Sequence, residues 1–192
     1  KLVLSNGTVT VRHLAVAQGN NGQFVQAGGQ LIVTGTNTLI VGQAAGKTGN
    51  LDVSGGIIDS SLSPLIIGDS GAGDATLNNA TITALTATLA RNPGSEGSIR
   101  QVGGTFNILS NLTVGTSASA TGTIWVGGEI NITNGILNIG FGRVFLVSSN
   151  QIPAAARPGG GISIEAGGGG SVLRTRSVSV STSPGSDGAL II

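Results

Sequence analysis

The stretch "VGQAAGKTG" (Val41 to Gly49) carries the residue types of a phosphate-cradling loop: glycines for close backbone approach, then Lys47 and Thr48. A working cradle needs four residues between its glycines, so that several N–H groups converge on the phosphates. Gly42 and Gly46 enclose only three. In "GDSGAGD", Asp69 and Asp74 offer hard oxygen ligands of the kind calcium takes. The corresponding turns elsewhere lack a second acid and the nonapeptide calcium repeat is missing, so no metal is expected and this pair is the one to test. Cleavage of glycosidic bonds would need carboxylates paired on one face. The eight acids (Asp52, Asp59, Asp69, Asp74, Glu96, Glu129, Glu165 and Asp187) instead fall at different places in the chain's repeat. The single histidine, His13, has no ligand-type partner and reads as a surface or turn residue. No catalytic residue and no cofactor are expected, and the chain is read as a non-enzyme.

The elements that must carry these residues follow from composition. Of 192 residues, 34 are Gly and only 9 % are charged, and Cys, Met and Tyr are absent. Such a chain is poor material for long helices. β-Branched residues punctuated by Gly and Asn predict many short strands and tight turns. The formal net charge of +1 comes from single, scattered residues. It offers nucleic acid no basic stripe, and no apolar run is long enough for a membrane-spanning helix.

The strands repeat. An apolar residue followed by a small one recurs at Val16-Ala17, Val41-Gly42, Ile67-Gly68, Leu89-Ala90, Val114-Gly115 and Ile139-Gly140, at spacings of 25, 26, 22, 25 and 25. Ten residues after four of these anchors stand Leu51, Leu77, Ile99 and Ile124. The phosphate-loop lookalike is therefore one copy of a repeated turn, with Lys47 matched by Gly73, Ser95 and Ala120. A Gly-Gly pair marks a second corner at Gly28-Gly29, Gly55-Gly56, Gly103-Gly104 and Gly127-Gly128, with "NATIT" in its place in one copy. Three short strands and three corners in about 25 residues describe one coil of a parallel β-helix. The expected fold is all-β: a single-stranded, right-handed, three-sided parallel β-helix of about six coils, roughly 30 Å tall at about 4.8 Å per coil.

The pattern "VG…G.TGNLDVSGG" followed by "IIG…G.GDATL" resembles the repeats of large secreted bacterial surface proteins of the autotransporter-passenger type, over roughly residues 1 to 142. The resemblance implies secretion and an extracellular or cell-surface architectural role. The opening "KLVLSNGTVTV" runs straight into strand pattern without a leader, so the chain is expected to be a mature, processed form.

Three segments are expected: the β-helix over 1–142, a Pro/Gly-rich cap and hinge over 143–170, and a strand-like tail over 171–192. The tail either caps its own helix or is donated as a strand to a neighbouring copy. Val178, Val180, Leu190, Ile191 and Ile192 would then be its apolar anchors. Trp125 is expected to face outward, one place after the inward column Leu51, Leu77, Ile99 and Ile124, and to serve as a contact residue. A Thr-x-Thr ladder for ice or flat crystals starts at Thr8/Thr10 and Thr81/Thr83. It is broken by Asp59/Ser61, Phe106/Ile108 and Asn131/Thr133. Asn6, Asn79, Asn111 and Asn131 head glycosylation sequons. The expected function is a structural subunit of an extracellular fibre or surface layer, with copies of itself as partners. The alternative is an adhesin domain binding glycan or a host surface.

Overall fold

A computed structural model of the chain describes residues 1–35, 38–141 and five later strands. Each coil contributes three strands. The first three coils are β1 (Leu2–Leu4), β2 (Thr8–Val11), β3 (Leu14–Val16); β4 (Gly22–Gln26), β5 (Gln30–Val33), β6 (Leu39–Val41); and β7 (Thr48–Val53), β8 (Ile57–Ser60), β9 (Leu65–Ile67). The next three are β10 (Ala72–Leu77), β11 (Ala80–Ala84), β12 (Ala87–Leu89); β13 (Glu96–Gln101), β14 (Gly104–Ile108), β15 (Leu112–Val114); and β16 (Thr121–Val126), β17 (Glu129–Ile132), β18 (Leu137–Ile139). The first strands of the coils stack into one parallel sheet (A), the second into another (B) and the third into a third (C). The protein is an all-β parallel solenoid of about six coils with no helix among the described residues, as its repeat requires. None of those residues forms a helix long and apolar enough to cross a membrane.

The small residue of five of the six anchor pairs now has a reason. Val16, Val41, Ile67, Leu89, Val114 and Ile139 stack in one column at the end of sheet C. The chain then turns with positive φ at Ala17, Gly42, Gly68, Ala90 and Gly115. L-residues rarely adopt that conformation, and a large side chain there is strained. At Gly68 a Cβ would also run into the Glu96 carbonyl. A glycine column that the sequence reading missed faces this corner from sheet A: Gly22, Gly49, Gly73, Gly97 and Gly122 lie in register. A Cβ at Gly22 would sit 2.8 Å from the Ala17 nitrogen, so the corner closes only over glycine.

Inside the coils, alternate residues interlock in apolar columns. Phe24, Leu51, Ala75, Ile99, Ile124 and Val144 form one, and Leu31, Ile58, Ile82, Phe106 and Ile130 another, all buried. The register corrects two alignments. Ala75, not Leu77, follows Leu51 in its column, because the loop after Ile67 is two residues shorter than the loop after Val41. The residues equivalent to Lys47 are Gly71, Ser95 and Ala120, since Thr48, Ala72, Glu96 and Thr121 pair across successive coils.

Past residue 142 the same sheets continue. β19 (Arg143–Leu146) joins sheet A on β16, followed there by β20 (Ile162–Ile164) and β23 (Leu190–Ile191). β21 (Val172–Arg174) pairs with β17 and β22 (Val178–Val180) with β18, both parallel. Pro153 and Pro158, the two prolines of the segment expected as cap and hinge, lie outside the described residues.

Candidate functional site

Several N–H groups of the corner holding Lys47 are already used within the solenoid. Gly42 N–H donates to the Val16 carbonyl at 2.9 Å, Ala44 N–H to Ala17 at 3.1 Å, and Lys47 N–H to Ala44 at 3.1 Å. The Lys47 carbonyl in turn accepts from Ala72 at 2.9 Å. Every one of these groups closes a turn or ties one coil to its neighbour, which is what a repeated corner is for.

The two candidate metal ligands are each engaged by an arginine one coil on. Asp69 is buried directly after the Gly68 turn. Its Oδ1 accepts from Arg91 at 2.7 Å and from Asn92 Nδ2 at 2.9 Å. Asp74 lies on the outer face of β10, where Oδ2 pairs with Arg100 at 3.2 Å and Oδ1 accepts from the Ser98 hydroxyl. The carboxylates thus serve separate ion pairs. Among the described residues, no group of three or more His, Cys, Asp or Glu is placed to hold a metal ion. His13 is exposed at the corner after β2, its Nδ1 3.5 Å from Thr38 Oγ1.

Other polar side chains do similar work between coils. Gln23 Nε2 donates to Asp52 Oδ2 at 2.7 Å, and Asn131 Nδ2 to Asn107 Oδ1 at 3.1 Å. Gln26 and Gln101 are wholly buried in the same inward column, three coils apart. Each amide nitrogen bridges its own corner to the next coil: Gln26 to the Gly29 and Ile57 carbonyls at 3.2 and 3.0 Å, Gln101 to those of Gly104 and Glu129 at 2.9 and 3.1 Å. A glutamine in an apolar column was the available sequence signal. It was overlooked because Leu4, Val53, Leu77, Val126 and Leu146 occupy the other places in that column.

Trp125 leaves the outer side of its sheet as expected, but its expected exposure needs correction. By register it follows Asp52, Thr76 and Arg100 in an outer column of sheet A, yet only 3 % of its surface is exposed. Thr123, in the neighbouring outer column, is buried as well. Alternation fixes the side of the sheet from which a side chain leaves, not whether that side is covered. Ile40 and Ile66 show the same on sheet C: each is the middle residue of a three-residue strand and each is buried.

The outer face of sheet B carries, in register, Thr8/Thr10, Gln30/Ile32, Ile57/Asp59, Thr81/Thr83, Thr105/Asn107 and Glu129/Asn131. These pairs replace the alignment expected at three places, and the Thr ladder is still interrupted. Of the sequon residues, Asn6, Asn79 and Asn111 are exposed at corners, while Asn131 is half-buried mid-strand. Asn79, with φ of 53°, stands where other coils carry glycine. Among the expected tail anchors, Val178 is 38 % exposed in β22, opposite Leu137, and Val180 is opposite Ile139. Leu190 and Ile191 lie in β23, while Ile192 lies outside the described residues. Comparison with protein-family models, curated proteins and solved structures finds no match to the chain.

Proposed function

We propose that the chain is a structural subunit of an extracellular fibre or surface layer, a non-enzymatic rod that assembles with copies of itself. The observation that carries this reading is the use made of its polar side chains. Several of the carboxylates, amides and guanidinia among the described residues are engaged from one coil to the next, as in Asp69 with Arg91 and Gln101 with the Glu129 carbonyl. Such bonding ties successive coils into one stack. The resemblance of the repeat to secreted surface proteins of the autotransporter-passenger type supports the location.

Assembly would use the unpaired ladder edges that any β-solenoid presents at its ends. In this chain β1, β2 and β3 are the edge strands of their sheets, and Leu2 and Val3 are 53 % and 55 % exposed. Beside them lies a cavity of about 280 Å³ lined by residues that include Leu2, Leu14 and Phe24. At the other end the tail strands β21 and β22 either stay on their own solenoid or exchange onto a second copy.

A second reading, an adhesin domain that binds glycan or a host surface, rests on a different observation. Leu62, Leu85 and Ile136 are exposed apolar residues at the corner between sheets B and C. Electron microscopy of the purified protein separates the two. Filaments or sheets support the structural subunit, and monodisperse rods that bind immobilised glycans or cells support the adhesin.

A further inference from the structure

The sequence holds three Asn-Gly pairs: Asn6-Gly7, Asn21-Gly22 and Asn134-Gly135. In such a pair the glycine nitrogen can attack the asparagine side-chain carbonyl carbon, because no Cβ obstructs the approach and the backbone can rotate to permit it. The fold treats the three pairs differently. Gly22 lies in β4 paired with Gly49 and packed 2.8 Å (at its Cβ position) from the Ala17 nitrogen, while Asn21 Oδ1 accepts from Thr48 N–H at 2.9 Å. Gly135 is buried against the Ser110 carbonyl and Asn111 Oδ1. Asn6 and Gly7 are both exposed, and nothing lies within 4 Å of the position a Gly7 Cβ would take. Gly7 N–H donates to Asn6 Oδ1 at 2.8 Å, which sets the attacking nitrogen beside the side-chain amide.

We propose that Asn6 is a site of spontaneous self-modification, converting to aspartate and isoaspartate through a cyclic imide with Gly7. The Gly7 nitrogen gives up its proton and bonds to Asn6 Cγ. The bond from Cγ to the side-chain nitrogen breaks, and ammonia leaves carrying that proton. Water, the only co-reactant, then opens the five-membered imide at either carbonyl. Opening at one carbonyl gives aspartate with the backbone unchanged; opening at the other routes the backbone through the former side chain. Both products add a negative charge at the corner between sheets A and B. The isoaspartyl product also lengthens the backbone where the Gly7 carbonyl accepts from Gln30 N–H at 2.8 Å. The modification therefore loosens the first coil from the second.

The test is incubation of the folded full chain at mildly alkaline pH, then proteolytic mapping by mass spectrometry with enzymatic detection of isoaspartate. Cleavage after Lys1 and Arg12 releases a peptide in which Asn6 is the only asparagine, so the assignment is unambiguous. The expected result is conversion at Asn6 several-fold faster than at Asn21 or Asn134 in the folded chain, with the three rates converging in strong denaturant. Equal rates in the folded chain, or faster conversion at either of the other two, would overturn the proposal. Asn6→Gln should abolish isoaspartate in that peptide with the circular dichroism unchanged, and a signal that persists there would also overturn it.

Discussion

At the residue scale, the same turn position holds glycine in some coils and alanine in others, and the difference is measurable. Gly68 turns at φ 77° with a backbone carbonyl where its Cβ would go, whereas Ala90 makes the equivalent turn at φ 54° with its Cβ in place. Gly68→Ala should destabilise the fold by about 2 kcal/mol or more, from positive-φ strain plus the clash. Ala90→Gly should stay within about 1 kcal/mol of the parent, since relief of strain offsets added chain entropy. Urea melts of the two variants check this, and similar losses from both would discredit the corner argument. Trp125, with 3 % exposure, should give blue-shifted emission in the native monomer, and Trp125→Ala should cost about 3–5 kcal/mol. Lys47→Ala, by contrast, should shift stability by less than about 0.5 kcal/mol. Calorimetric titration of the parent with a nucleoside triphosphate should show no binding for that substitution to remove.

Between elements, what matters is how strongly a polar tie holds successive coils. Asp69 and Asp74 each meet an arginine one coil on, but only Asp69 is buried, with a second donor from Asn92. Asp69→Ala should therefore cost about 1–3 kcal/mol, because it removes a buried carboxylate that accepts from both Arg91 and Asn92. Asp74→Ala should cost no more than about 1 kcal/mol, since its pair with Arg100 is partly exposed and screened by salt. Equilibrium unfolding at low and high salt distinguishes the two, with the Asp74 contribution fading further than that of the buried Asp69 carboxylate as salt is raised. Calcium and a chelator should both leave the melting temperature of the parent unchanged. A calcium-dependent rise would restore the metal reading of "GDSGAGD" and show that the ion displaces an arginine.

For the molecule as a whole, the proposed assembly is tested at the end of the stack. Parallel ladders are open at both ends, and the strands after residue 142 occupy the far end of all three sheets. Deleting residues 171–192 removes β21, β22 and β23 and exposes the ladder edges of β17 and β18. The truncated chain should keep its β-sheet circular dichroism and lose the ability to polymerise. Normal filaments from it would mean that stacking of coil ends suffices without the tail. Failure to fold would make the tail an intramolecular cap on coil six.

The sequence by itself determined the solenoid. A turn that needs positive φ admits only small residues, so the anchor pairs from Val16-Ala17 to Val114-Gly115 could be read directly, and they align one above another in the fold. The Gly-Gly corners were legible for the same reason. Register within a coil was not, where loop length changes: nothing local to "GDSGAGD" says that two residues are missing from the loop after Ile67, and only pairing with β7 and β13 places Ala75 beneath Leu51. Burial on the outer faces also required tertiary structure. Strand alternation gave Trp125 its side of the sheet, but exposure depends on what lies across that side, which no period in the sequence encodes. The same holds for Asp69 and Asp74, whose spacing suggested one shared cation. Stacking put a different arginine beside each, because the partner of a side chain in a solenoid comes from the next coil and not from its own loop.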